Sequence, residues 1–176
     1  MILKLIHLGN PVLRQKSQLI PPPEIKSPGF QKFIDDLIDT MHAAEGEGIA
    51  AVQVGVPKAV FVVEVKSNKR YPKEAGIPLQ VFINPEVQLL KTGEEIDWEG
   101  CLSVPGLRGQ VPRAKSLKIK ALDRAGQPVS LEVNGFFARV IQHEWGHLQG
   151  RVYLDAMKGL ETLTFLDEFA RFWDRD

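Results

Sequence analysis

The chain has 176 residues, enough for one compact domain with a real core. Lys and Arg number 22, and so do Asp and Glu, a balance with no long-range pull toward nucleic acid or anionic lipid. The lone Cys101 excludes an intrachain disulfide, and no apolar run approaches the roughly 20 residues needed to cross a bilayer. The opening MILKLIHLGNPVLRQKSQ has neither an apolar h-region nor a small-residue cleavage site, so no secretory leader is expected. These features predict a soluble intracellular protein.

After the stiff segment IPPPEIKSPG (20–29), Ser27 can cap a helix and Pro28 suits its first position. Phe30, Phe33, Ile34, Leu37, Ile38 and Met41 form its apolar stripe, which Gly46 and Gly48 end. KAVFVVEV (58–65) reads as a buried strand and the polar stretch 66–78 as a loop. Segments 79–85 and 86–98 read as two more strands. In 116–133, Leu117, Ile119 and Ala121 alternate, an Arg-Ala-Gly turn follows, and Val129, Leu131 and Val133 alternate again, which predicts a hairpin. A second helix is expected from Phe136 to Gln149, with Gly150 as its C-terminal cap. A last amphipathic helix is expected over 160–173, with Leu160, Leu163, Leu166, Phe169, Ala170 and Trp173 as its stripe. Helices before and after a run of strands predict an α+β fold without repeats or an interdomain linker.

The chemistry concentrates in QHEWGH (142–147). Positions four apart share one helix face, so His143 and His147 can point at one cation while Glu144 leans beside it. That is the metal-hydrolase arrangement, in which the ion acidifies a water and the carboxylate takes its proton. Two histidines meeting on a helix by chance is the bland alternative; the apolar flanks Val140, Ile141 and Leu148 favour the metal. A third ligand must come from elsewhere. Tyr153 stands where one metallopeptidase pattern needs histidine, and Glu161 and Glu168 fall on a short terminal helix. The upstream candidate is Cys101 in EGCLS (99–103), a soft ligand for Zn²⁺ or Fe²⁺, although most free cysteines are small buried hydrophobes. Two imidazoles and one thiolate would leave a fourth position open, as catalytic sites do. In GEGIAAVQVG (46–55), Gly48 permits close backbone approach and Gln53 can donate hydrogen bonds to a developing oxyanion.

GEGIAAVQ (46–53), EGCLS and QHEWGH, in that order, resemble the three motifs of the peptide deformylase family, and the likeness runs from GNPVLRQKS (9–17) to YLDAM (153–157). The long 66–78 loop, NGFFARVIQHE and HLQG look closest to the organelle-type (type 1) branch. The resemblance implies a single domain over 1–176, with antiparallel strands packed around a central metal-binding HExxH helix and helices at either end. It implies removal of the N-formyl group from formylmethionine on newly made polypeptides, with release of formate. Metal ligands map onto Cys101, His143 and His147, and the general base onto Glu144. The oxyanion donors map onto the Gln53 side chain and the Leu102 backbone N–H, and the substrate-binding positions onto Gly48 and Gly100. The implied ion is Fe²⁺, which Zn²⁺, Ni²⁺ or Co²⁺ can replace. The implied partners are N-formylmethionyl nascent chains and, transiently, the ribosome, in the cytoplasm or an organelle, with no membrane or nucleic-acid motif.

Two positions depart from the family pattern. Val52 replaces the usual Pro, a change in local stiffness. Gly146 replaces an Asp expected to pair with arginine, which would orphan Arg113 unless another acidic group takes over. Gly146→Asp is expected to be tolerated and to tighten metal binding. The alternatives are a deformylase-like peptide binder weakened in catalysis and a zincin-type metallopeptidase. Residues 165–176 carry more acidic than basic groups, which favours a packed helix over an RNA contact.

Overall fold

A computed structural model describes residues 1–65 and 76–174. Its helices are α1 (Pro22–Ile25), α2 (Pro28–Ala43), α3 (Gly135–Leu148) and α4 (Leu166–Phe172). Its strands are β1 (Gly48–Ala50), β2 (Val60–Val65), β3 (Ile77–Leu89), β4 (Glu94–Cys101), β5 (Val104–Ala114), β6 (Ser116–Leu122), β7 (Pro128–Asn134) and β8 (Thr164–Phe165). All strand pairs are antiparallel, in one sheet ordered β1-β2-β3-β6-β7 and another ordered β4-β5-β8. The architecture is α+β, as the order of elements predicts.

Strand β2 has the near-continuous apolar run of a strand covered on both faces. Phe61 and Val63 join Phe82, Leu117, Ile119 and Ile141 in the core beneath α3. Val60 and Val62 join Ile34, Leu37 and Met41 beneath α2. The Ser27 hydroxyl caps α2 by accepting from the Phe30 N–H. Helix α3 packs against β1, β2, β3, β6 and β7 of the large sheet and against β5 of the small one. A helix between two sheets must be apolar nearly all round, and Ala138, Val140, Ile141 and Leu148 are buried. Gly150 (φ +74°) closes it: its N–H donates to His147 O while Arg151 N–H donates to Gly146 O.

The chain differs from the sequence reading in four places. The loop expected over 66–78 lies mostly outside the described residues, and its last two residues, Ile77 and Pro78, already belong to β3. The strands expected over 79–85 and 86–98 are one bent strand, β3, followed by β4 after a turn at Gly93 (φ +94°). The bend falls where the register slips between Ile83 and Glu86, and Asn84 takes a left-handed conformation (φ +52°). Its side chain holds that shape by accepting from Ile20 N–H and donating to Ile20 O. Strand β5 was not anticipated, because Pro105, Gly106, Gly109 and Pro112 interrupt its pattern. The terminal helix starts at Leu166 rather than 160: Thr164 and Phe165 extend to pair with Arg108 and Leu107, Leu160 stays exposed, and Phe169 alone of the expected stripe is buried.

Candidate metal centre

Three elements converge beside α3. Strand β4 ends in the sequence Glu99-Gly100-Cys101, and a tight turn at Leu102–Ser103 returns the chain into β5, where Cys101 pairs with Val104. The register slips between Glu99 and Cys101, and both side chains meet α3: Glu99 bonds to Arg139 and His143, and Cys101 Sγ lies against His147. Helix α3 carries His143 and Glu144 side by side, with His147 one turn further on. The third element is the 3-10 turn Ala51–Val54, which carries Gln53.

One ligand atom each from Cys101, His143 and His147 lies within 4.8 Å of the others. Cys101 Sγ is 3.3 Å from His147 Nε2, and the two imidazole centroids are 5.0 Å apart. A thiolate with two imidazoles is a donor set for a divalent transition metal with an open position. Among the described residues this is the His/Cys/Asp/Glu group that can hold an ion; Glu161 and Glu168 take no part. Tyr153 stacks on His143 instead, at 6.2 Å and 15° between ring planes, and burial pushes its phenol well above the ordinary value.

Glu144 is 4% exposed, and its Oε2 has no hydrogen-bond partner among the described residues. Burial pushes its carboxyl up to about 7, with the charge on His143 opposing. It faces Gly48: a Cβ at that position would stand 2.6 Å from Glu144 Oε1, so only glycine lets β1 lie against this carboxylate. Gln53 is held by the Ala50 N–H, which donates to its Oε1 at 2.8 Å, leaving its NH₂ directed at Ser103 Oγ (3.3 Å) and Cys101 Sγ (3.7 Å). A cavity of about 390 Å³ opens here, lined in part by Gly48, Gln53, Gly100, Leu102, Val140 and Glu144. The structure thus brings together the site residues that the family resemblance implied, Gly48, Gln53, Gly100, Cys101, Leu102, His143, Glu144 and His147.

Two residues of the site were missed. Glu99, 5% exposed, accepts at Oε1 from Arg113 Nε and Arg139 Nη1, both at 2.8 Å. At Oε2 it accepts from Arg113 Nη2 and His143 Nδ1, both at 2.9 Å. Burial pushes this carboxyl up, but the bonds from Arg113 and His143 prevail and hold it well below the carboxylate range. A carboxylate only accepts, so His143 carries hydrogen on Nδ1 and turns Nε2 toward the ligand group. Burial lowers the affinity of His143 for a proton, yet Cys101 and Glu99 together raise it well above the ordinary value. His147 goes the other way: burial, then the charges on His143 and Arg113, keep it neutral. Gly146 does not orphan Arg113: another acidic group, Glu99, takes over and pairs with it bidentately. The signal for Glu99 was its place two residues before Cys101. For Arg139 it was a charge in an otherwise apolar helical run, one turn before His143.

Such a centre defines a metal-binding hydrolase. The polypeptide deformylase family model matches residues 2–162. A peptide deformylase of Leptospira biflexa is 39% identical over 94% of this chain and 93% of its own length. The Met-Ala-Ser-bound class I type b peptide deformylase of Acinetobacter baumannii superposes with a TM-score of 0.86 at 34% identity, over 89% of this chain and 99% of that one. The actinonin complex of a peptide deformylase from Synechococcus elongatus gives a TM-score of 0.80 at 33% identity, over 89% and 79%. The chain belongs to the polypeptide deformylase family, metal-dependent enzymes that remove the N-formyl group from nascent peptides.

Proposed function

We propose that residues 1–176 work as one deformylase domain in which α3 is the metal-binding HExxH helix, with Cys101, His143 and His147 as ligands. The observation that carries this reading is the convergence of three ligand atoms from two elements within 4.8 Å, beside a buried carboxylate. Fe²⁺ is the proposed native ion, with Zn²⁺, Ni²⁺ or Co²⁺ able to replace it. When bound there, it supplies Lewis acidity that makes a water acidic near neutral pH and polarises the formyl group.

The chain's own residues do the rest. Gly48 and Gly100 border the peptide, and β1, at the edge of its sheet among the described residues, offers main-chain bonds to an extended substrate. The Met-Ala-Ser held by the Acinetobacter relative supports a methionyl N-terminus in the cavity. Glu144 takes a proton from the attacking water and delivers it to the leaving amine; a carboxyl raised to about 7 is matched to both tasks. The Gln53 NH₂ and the Leu102 N–H donate to the oxygen of the tetrahedral intermediate. Transient contact with the ribosome and a cytoplasmic location belong to the same proposal. No helix among the described residues is long and apolar enough to cross a membrane.

Replacing Glu144 by Ala is expected to leave metal content near normal while abolishing formate release from formyl-Met-Ala-Ser. Full activity in that variant would remove Glu144 from the role of base. Replacing Cys101 by Ser is expected to strip the metal, which separates this site from a zincin-type peptidase. Gly146 was the ground for a catalytically weakened protein, and the Arg113–Glu99 pair supports the active reading instead.

A further inference from the structure

We propose that Arg139 is a positioning residue that acts through Glu99 to aim His143 at the metal. The proposal rests on the ligand set given above. Arg139 lies one helical turn before His143, so both side chains leave α3 on the same face. Its side chain is 7% exposed, within a helix run that is otherwise apolar. A buried guanidinium needs its donors matched. Arg139 Nη1 donates to Glu99 Oε1 and to Val111 O, and Nη2 donates to Glu95 O, at 2.8–2.9 Å. One arginine on α3 therefore ties both strands of the β4–β5 hairpin to the helix that carries His143.

A carboxylate has about four lone-pair sites, and all four of Glu99's are filled: two by Arg113, one by Arg139 and one by His143. With Arg113 alone, Glu99 would be fixed by a single fork from one strand and could pivot about it. The Arg139 contact comes from the helix side and fixes the plane of the carboxylate relative to the imidazole it orients. Arg113 and Arg139 also set two positive charges against the one on Glu99, the pairing that a buried carboxylate needs.

The contacts of Arg139 split into two kinds, and the test uses the split. Those to Val111 O and Glu95 O hold backbone together; the one to Glu99 serves His143. In Arg139→Met all three are lost. In Arg139→Lys the ammonium can keep the charge on Glu99 but cannot span the three acceptors. Metal-free protein is titrated with Co²⁺ alone, reading the thiolate-to-cobalt absorption and the dissociation constant by chelator competition, with unfolding curves in parallel. Arg139→Met is expected to weaken Co²⁺ binding about 10–100-fold, the usual range for loss of a group that orients a ligand. Arg139→Lys is expected to recover most of that affinity while remaining destabilised. Adding Arg139→Met to Glu99→Gln should weaken Co²⁺ no further than Glu99→Gln alone; this pair leaves no buried unpaired carboxylate, so it decides the matter if Arg139→Met does not fold. Native Co²⁺ affinity in folded Arg139→Met, or a further tenfold loss in the pair, overturns the proposal. Cys101→Ser is the control: if it still binds Co²⁺ with the native spectrum, the ligand set itself is wrong, a different failure.

Discussion

Two buried carboxylates lie on either side of the first histidine of α3, and they have opposite surroundings. Glu99 has every lone pair filled, by two guanidiniums and the imidazole itself. Glu144, one residue from His143 on the same helix, has an Oε2 without a partner among the described residues. Burial alone would push both acids up. Charge-assisted bonds reverse that for Glu99 and leave it for Glu144. A fixed anion holds a ligand still, whereas a carboxyl near 7 can give and take protons. The same residue type is thus a fixed anion on one side and, on the other, a carboxyl suited to the proton transfers proposed for Glu144.

The comparison can be broken from the Glu99 side first. Glu99→Ala would leave Arg113 and Arg139 buried without their anion, and about 3–5 kcal/mol of stability should be lost, as for other severed buried pairs. A denaturation midpoint close to that of the native chain would show that the two arginines find other partners.

The Glu144 side should respond with the opposite sign. Its carboxyl titrates near 7 in the folded metal-free protein against about 4.5 when unfolded. In that window the folded chain binds more protons, so its stability falls as pH rises from about 4.5 to 7 and is flat above. Glu144→Gln should abolish this slope and stabilise the metal-free protein at pH 8, by on the order of 3 kcal/mol. For Glu99 the depressed value reverses the window: its contribution is complete above about 4.5 and is lost as pH falls below that. Chemical denaturation of both metal-free proteins at several pH values reads these slopes, and a native slope in Glu144→Gln would locate the proton elsewhere.

The smallest effect is expected at Gly146. A Cβ there meets no heavy atom within 4 Å, so Gly146→Ala should gain roughly 1 kcal/mol from helix propensity with activity retained. Gly146→Asp should fit, and because Glu99 already accepts from His143 Nδ1, metal affinity should stay within about threefold, short of the roughly tenfold or more that loss or gain of a ligand-orienting group brings. A tenfold gain would mean that Glu99 leaves part of that work undone.

Much of this was legible in the sequence. The stripe of α2, the buried run of β2, the 116–133 hairpin and the spacing of His143 and His147 all repeat with the period of their element. Cys101 and Gln53 followed from what a metal hydrolase needs and from family motifs. Strand β5 was hidden because its prolines and glycines speak for a loop, and only pairing along β4 makes it a strand. The extended start of the last helix was hidden for a related reason: Thr164 and Phe165 are held out by Arg108 and Leu107, far away in sequence. Glu99 and Arg139 escaped because buried charges are expected only in pairs, and nothing in a linear sequence brings residues 99, 113 and 139 together.

The most direct test is a crystal structure of anaerobically prepared protein with anomalous data collected at the edge of its metal. One ion bonded at once to Cys101 Sγ, His143 and His147, with Glu144 beside its open side and unbonded, is the expected result. A strong anomalous peak elsewhere, or a Cys101 thiol rotated away from both imidazoles, would contradict the account.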